Sequence, residues 1–197
     1  MIVVISIIIA FLFGSIPSGY LITKKMCGID IRTKGSGNIG STNVKRIVGT
    51  KIAIITQTID VLKGVIPVAL GIYLSRTIKL PVTSDTYLSI IAIAAILGHD
   101  YTPFLKFKGG KGVNTTLGVF IFIAPIPTLT GIAVYFILHL FINIVSIRSI
   151  AIGITIPVMC IITKLPNPII VSTTIACGLI VLRHKDNLVR IMRKEEK

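Results

Sequence analysis

The chain has 197 residues, of which 53% are hydrophobic and 14% charged, where a soluble domain carries about a quarter charged residues. Its mean hydropathy is +0.90, it has no Trp, and its apolar residues come in runs. These values exclude a soluble enzyme, a disordered protein and a disulfide-built scaffold, and point to a small polytopic membrane protein with room for about seven helices of roughly 20 residues. The formal net charge is +14, from 21 Lys+Arg against 7 Asp+Glu. The basic residues sit between apolar spans, which fits anionic lipid headgroups and the positive-inside rule rather than nucleic acid. Cys27, Cys160 and Cys177 form no metal motif, and an odd count argues against a full disulfide set, so all three read as packing residues.

In chain order, a first span is expected over about Ile2–Thr23. It lacks a basic n-region and ends in charges, so it reads as a retained helix and not a signal peptide. A polar, Gly-rich stretch, Lys24–Thr50, leads to span two, about Ile52–Leu74, which carries Asp60 and Lys63. Span three covers about Tyr87–Gly98, and a second Gly-rich stretch, His99–Thr116, follows. Span four, about Leu117–Ala124, is the end of a helix that begins near Gly112 and is broken by Pro125 and Pro127. Spans five, six and seven are expected at about Leu129–Val145, Ile150–Thr163 and Ile169–Leu182, with SIRS (Ser146–Ser149) and KLPNP (Lys164–Pro168) as connections. A charged tail, Arg183–Lys197, closes the sequence. Seven spans place 17 basic residues on one side and 3 on the other, with Lys63 inside span two. The rule then sets the N-terminus outside and the C-terminus in the cytoplasm.

Both Gly-rich stretches fall on the cytoplasmic side in this topology. In the first, Gly35, Gly37 and Gly40 permit a backbone that turns its N–H groups toward one point. Ser36, Asn38, Ser41, Thr42 and Asn43 add side-chain donors, and Arg32, Lys34, Lys45 and Arg46 add charge. The second, FKGGKGV, sets Gly109, Gly110 and Gly112 around Lys111 just before an apolar helix. Each reads as a phosphate cradle or as a flexible basic loop, and two on one face favour a shared anion site. The second loop lacks the Walker A pattern. In Phe104–Lys108, aromatic residues and Leu105 alternate with lysines, so this segment fits the membrane interface.

Asp60 and Lys63 lie three apart on one helix face and are read as neutralising each other. His139 reads as a packed residue. His184 and Asn187, at i and i+3, share a face that is either solvated or a wall of the cytoplasmic site. No His has Asp at the fifth following position, no D-x-x-D pair occurs, and no metal cluster is visible. An enzyme built from this sequence works largely by positioning and charge stabilisation. A phosphate-ester transporter is the alternative, but the internal repeats of that class are absent. A structural membrane subunit would not need two cation–glycine loops.

GSIPSGYLI (14–22), DIRTKGSGNIGSTNVKR (30–46), DVLKG (60–64), GH (98–99) with FKGGKGV (107–113), and RHKDNLVRI (183–191) together resemble the bacterial acyl-phosphate:glycerol-3-phosphate acyltransferases, the PlsY family. The resemblance implies one all-α integral membrane domain over 1–197, with seven transmembrane helices, in the bacterial cytoplasmic (inner) membrane with its site facing the cytoplasm. It implies transfer of a long-chain acyl group from acyl phosphate to the 1-hydroxyl of glycerol 3-phosphate, giving lysophosphatidate and phosphate. Membrane lipids and an upstream acyl-phosphate-forming enzyme are implied partners; no nucleic acid, metal or cofactor is implied. By motif position, Lys111, Arg46, Ser36, Asn38, His184 and Asn187 are the implied catalytic residues. Gly35, Gly37, Gly40, Gly109, Gly110, Gly112, Ser149 and His99 are the implied phosphate-binding residues. The family is thought to lack a dedicated protein base. Ser41 and Asn114 stand where Ala is usual, Pro103 is displaced by one place, and Lys194 replaces the usual Gly before a tail glutamate, here read as Glu195.

Overall fold

The computed structural model describes residues 1–196, and every regular element among them is helical. The elements are α1 (Ile2–Gly14), α2 (Ser18–Cys27), α3 (Ser41–Val48), α4 (Thr50–Thr77), α5 (Ser84–Asp100), α6 (Val113–Ile123), α7 (Pro125–His139), α8 (Val145–Ile162), α9 (Asn167–Arg183) and α10 (Lys185–Met192). Short 3₁₀ turns occur at Ile31–Thr33 and Pro103–Leu105.

Each of the seven expected spans has a helical counterpart. By length and apolarity, four segments can cross a membrane: Ile2–Cys27, Thr50–Thr77, Ser84–Leu105 and Val145–Ile162. The pair α9–α10, bent by 52°, makes a fifth if it counts as one span. α6 and α7 have 11 and 15 residues, about 17 and 22 Å at 1.5 Å per residue, against a hydrocarbon core of about 30 Å.

Local chemistry explains the shifted boundaries. Thr83 caps α5 through its hydroxyl, which accepts from the Thr86 N–H, so span three begins earlier than its apolar run. Pro125 is the first residue of α7, where a missing N–H costs nothing, so it starts this helix as well as ending α6. SIRS is not a connection: it lies inside α8, and the turn falls at residues 140–144. His139 is not packed but exposed at the end of α7. Cys160 is buried and Cys177 half-buried, whereas Cys27 is exposed.

Charged and polar side chains are buried beside the apolar core, and many large apolar side chains face outward. In α4, Asp60 and Lys63 are each 2% exposed while Ile54 and Leu70 are 57% and 54% exposed. This pattern suits a solvent of hydrocarbon. Close helix pairs meet at small residues: a Cβ on Gly98 would lie 2.1 Å from the Phe11 carbonyl oxygen of α1, and one on Gly118 of α6 would lie 2.1 Å from the Val61 oxygen of α4. The break between α1 and α2 frees two carbonyls. Thr102 Oγ1 donates to Ser15 O at 2.6 Å and Lys63 Nζ to Ile16 O at 2.9 Å. Lys63 also lies 2.9 Å from Asp60 Oδ1, which accepts from Ser18 Oγ at 2.5 Å. The expected mutual neutralisation is therefore present, and it also closes a helix break.

Candidate functional site

A cavity of about 720 Å³ opens between the first loop, α6, α7, α8 and the tail. Its lining changes character along two helices. On α6 it runs from Asn114 to Leu117 and Ile121, and on α8 from Ser146 and Ser149 to Ile152. These spacings of three and four residues keep each set on one helix face. α7 adds Ile132, Tyr135 and Phe136.

The cavity gathers most of the residues singled out from sequence: Ser36, Asn38, Arg46, Lys111, His184 and Asn187, with Gly35, Gly40, Gly112, Ser149 and His99. Gly37, Gly109 and Gly110 are not on its wall. Their backbone donors are turned inward: Gly37 N–H to Lys34 O, Gly109 N–H to Asp100 O and Gly110 N–H to His99 O, at 3.0–3.1 Å. The expected cradle of glycine N–H groups is thus corrected at these positions. Gly110 is required instead by close packing, since a Cβ there would lie 1.9 Å from His99 Nε2. Side chains supply the polar wall.

Each loop is braced from behind. Asn43, buried at the start of α3, closes the first loop: its Nδ2 reaches Ile31 O, Lys34 O and Asn38 O, and its Oδ1 accepts from Ser36 N–H. Asn43 is therefore committed to the loop and not to a ligand. So is Arg32, whose guanidinium grips Asp30 at 2.6 Å and stacks over Tyr20. That hydrogen bond holds the Asp30 carboxyl down at about 2. In the second loop, Arg183 donates to Gly110 O at 2.9 Å and Gly109 O at 3.0 Å, and lies over the Tyr101 ring. α6 starts at Val113, so its first N–H groups have no partner within the helix. A side-chain bond crosses between the loop regions, from Asn114 Nδ2 to Ser41 Oγ at 3.3 Å.

The tail completes the wall. Lys111 Nζ donates to Asn187 Oδ1, and Asn187 Nδ2 donates to Glu196 Oε1. Arg190 Nε bonds Glu196 Oε2 at 2.6 Å, and Ser146 Oγ reaches Oε1 at 3.2 Å. Glu195 and Glu196 both line the cavity, but the tail carboxylate held by hydrogen bonds is Glu196, not the Glu195 read from the sequence. Lys194, with φ +59°, takes the left-handed turn that brings it in. Burial works against the Glu196 carboxylate, but the bonds from Arg190, Asn187 and Ser146 outweigh it and hold its pKa below the ordinary value. Burial lowers the Lys111 pKa to about 8, with Glu196 opposing and Arg190 assisting. His184 Nδ1 donates to Ile180 O at 2.8 Å, which fixes its ring. His99 packs on Gly110 with its Nδ1 3.6 Å from Asp60.

Arg190, Ser146 and Glu196 were missed as site residues. Arg190, three residues after Asn187 on the same helical face, carried a readable signal; Ser146 and Glu196 are brought in by tertiary structure. Among the described residues no three His, Cys, Asp or Glu side chains converge as a metal site requires.

A family model described as glycerol-3-phosphate acyltransferase matches residues 4–194. The chain is 63% identical to the glycerol-3-phosphate acyltransferase of Clostridium acetobutylicum, over 100% of this chain and 99% of that protein. It is 42% identical to the enzyme of that name from Geotalea daltonii, over 95% and 93% respectively. Two crystal structures of PlsY (YgiH), an integral membrane glycerol 3-phosphate acyltransferase, match its fold. The glycerol 3-phosphate form gives a TM-score of 0.91 at 33% identity, and the lysophosphatidic acid form 0.89 at 32%; each covers 100% of this chain and 95% of the other. Matched by the family model over residues 4–194 and by relatives along nearly its whole length, this chain belongs to the glycerol-3-phosphate acyltransferase family.

Proposed function

We propose that this chain moves a long-chain acyl group from acyl phosphate to the 1-hydroxyl of glycerol 3-phosphate, forming lysophosphatidate and inorganic phosphate. The observation that carries the proposal is the cavity itself. Lys111, Arg46 and Arg190 line it together with an apolar wall of Leu117, Ile121, Ile132 and Ile152. A donor with a phosphate head and a hydrocarbon chain, and an acceptor with a second phosphate, match that division.

In this reading Lys111 and Arg46 hold the phosphates, with Ser36, Asn38, Ser149 and Asn187 as hydrogen-bonding neighbours. Arg183 and His99 fix the loop behind Lys111. The glycerol oxygen forms a bond to the acyl carbon as the bond from that carbon to the phosphate oxygen breaks. The hydroxyl proton goes to a phosphate oxygen, so phosphate departs as the hydrogen phosphate ion. Cations already in place stabilise the charge that gathers on the leaving oxygen. An acyl-phosphate-forming enzyme supplies the donor.

The topology belongs to the same proposal. The first loop, the α6 and α8 N-termini and the tail line one cavity, so they share one face, and these are the basic segments. α6 and α7 then form a short hairpin leaving that face and returning to it, and they count as the fourth and fifth of the seven membrane helices in this reading, beside five segments long enough to cross. The positive-inside rule makes the cavity face cytoplasmic, in the bacterial inner membrane.

The test uses purified protein in lipid with palmitoyl phosphate and glycerol 3-phosphate, following phosphate release and lysophosphatidate, with palmitoyl-CoA as a parallel donor. Phosphate release that needs both substrates, with lysophosphatidate formed, supports the proposal. Turnover with palmitoyl-CoA alone overturns the donor. No turnover by folded protein with either donor overturns the reaction.

A further inference from the structure

Phe104–Lys108 takes no part in the site described above, yet its backbone is the most contorted in the second loop. Leu105 N–H and Phe107 N–H both donate to Thr102 O, at 3.2 and 2.9 Å, and Lys108 N–H donates to Leu105 O at 3.1 Å. Lys106 and Phe107 are both left-handed, with φ +54° and +61°, a conformation that L side chains avoid. The turn splits the segment into two faces. Leu105 is buried with Ile31, Ile39 and Val44 against the first loop. Phe104 and Phe107 stand out at 61% and 62% exposure, and Lys106 and Lys108 are exposed beside them. Strain of this kind persists where the surrounding structure enforces it, and it marks segments that present something.

What the segment presents is set by its place. It ends the apolar stretch Ser84–Leu105, 22 residues long, about 33 Å if helical throughout, so it stands where a membrane-crossing helix meets the headgroups. Two bare phenyl rings flanked by ammonium groups match the boundary between acyl chains and anionic headgroups. Gly109, the next residue, bonds back to Asp100 O, so this knuckle is continuous with the loop that carries Lys111.

We propose that the 104–108 knuckle is an interfacial anchor for anionic phospholipid of the surrounding bilayer. Phe104 and Phe107 enter the headgroup–acyl boundary, and Lys106 and Lys108 pair with lipid phosphates. The bilayer is the occupant because the patch is continuous with a membrane-crossing segment and opposite in charge to anionic lipid. The inference does not depend on the acyl donor.

The chain has no Trp and five Tyr, so Phe104→Trp and Phe107→Trp each install a single tryptophan in the full-length protein, excited at wavelengths where tyrosine does not absorb. Each variant is reconstituted in vesicles of phosphatidylcholine, with and without phosphatidylglycerol. Blue-shifted emission, quenched by bromine-bearing acyl chains and shielded from aqueous acrylamide, is the expected result, stronger with phosphatidylglycerol. One lysine near an anionic surface contributes roughly fivefold in partitioning. Lys106→Gln with Lys108→Gln in the same background is therefore expected to reduce the phosphatidylglycerol preference by roughly tenfold or more. Water-like emission, freely quenched by acrylamide in both vesicle types at both positions, would overturn the anchor and leave the patch open to a soluble protein. An unchanged lipid preference in the double lysine variant would overturn the headgroup assignment.

Discussion

Raising the pH above 8 is expected to disarm the site through Lys111. Burial lowers its pKa from 10.5 to about 8. Half of the free enzyme then carries the cation at pH 8, about a tenth at pH 9 and about a hundredth at pH 10. If that cation holds a substrate phosphate, kcat/KM falls roughly fivefold from pH 8 to 9 and roughly tenfold from pH 9 to 10. An ordinary lysine would keep it level to about pH 10. The charged groups around it are Glu196, Arg190, Asp186 and Arg183. Phosphate esters lose their second proton near pH 6, so the substrate does not produce the limb. A bound dianion favours the protonated amine, so the limb in kcat lies at higher pH than the limb in kcat/KM. Initial rates of phosphate release, corrected for enzyme-free hydrolysis of the donor, give both profiles. Lys111→Arg keeps its charge throughout and is expected to lose the limb at a reduced plateau. A kcat/KM flat to pH 10, or the same limb in Lys111→Arg, would refute the assignment. For stability the sign is opposite. The unfolded chain binds the proton up to pH 10.5 and the folded chain only to about 8, so this group's penalty is relieved as pH rises between them.

Asp60→Asn leaves the Lys63 ammonium buried without its counter-charge, and a loss of about 3–5 kcal/mol is expected; an unchanged thermal midpoint in detergent would contradict it. Lys194→Gly relieves a left-handed backbone at φ +59° and is expected to add roughly 1 kcal/mol to the docked tail. Slower proteolysis at the C-terminus with KM for glycerol 3-phosphate held or lowered is the readout, and faster clipping would count against it. Ser41→Ala and Asn114→Ala break a side-chain bond between the two loop regions. Their double-mutant cycle should show a coupling of about 0.5–1 kcal/mol, with KM for both substrates moving together; additive effects on one substrate would mean that these residues touch ligand and not each other.

What could be read from the sequence, and what could not, divides along a physical line. Apolar runs report contact with hydrocarbon, so each expected span has its helix, and Asp60 with Lys63 could be paired from their spacing alone. Boundaries slipped where one polar group outweighed the run, as with the Thr83 cap and Pro125 at the start of α7. α3 escaped notice because its eight residues are amphipathic and sit between glycines, where no apolar run marks them. The site followed the same logic. Side-chain chemistry at Lys111, Arg46, Ser36, Asn38, His184 and Asn187 was legible because charge and hydrogen-bonding capacity belong to the residue type, and the cavity gathers all six. Backbone geometry was not legible. Glycine permits either a donor turned to a ligand or a neighbour packed within reach, and the sequence of FKGGKGV is the same in both cases. The carbonyls of His99 and Asp100, set by the end of α5, decide for the second. Glu196 escaped for a related reason. Its reach depends on Lys194 adopting a conformation that its own side chain disfavours, which Arg190, Asn187 and Ser146 enforce by binding the carboxylate.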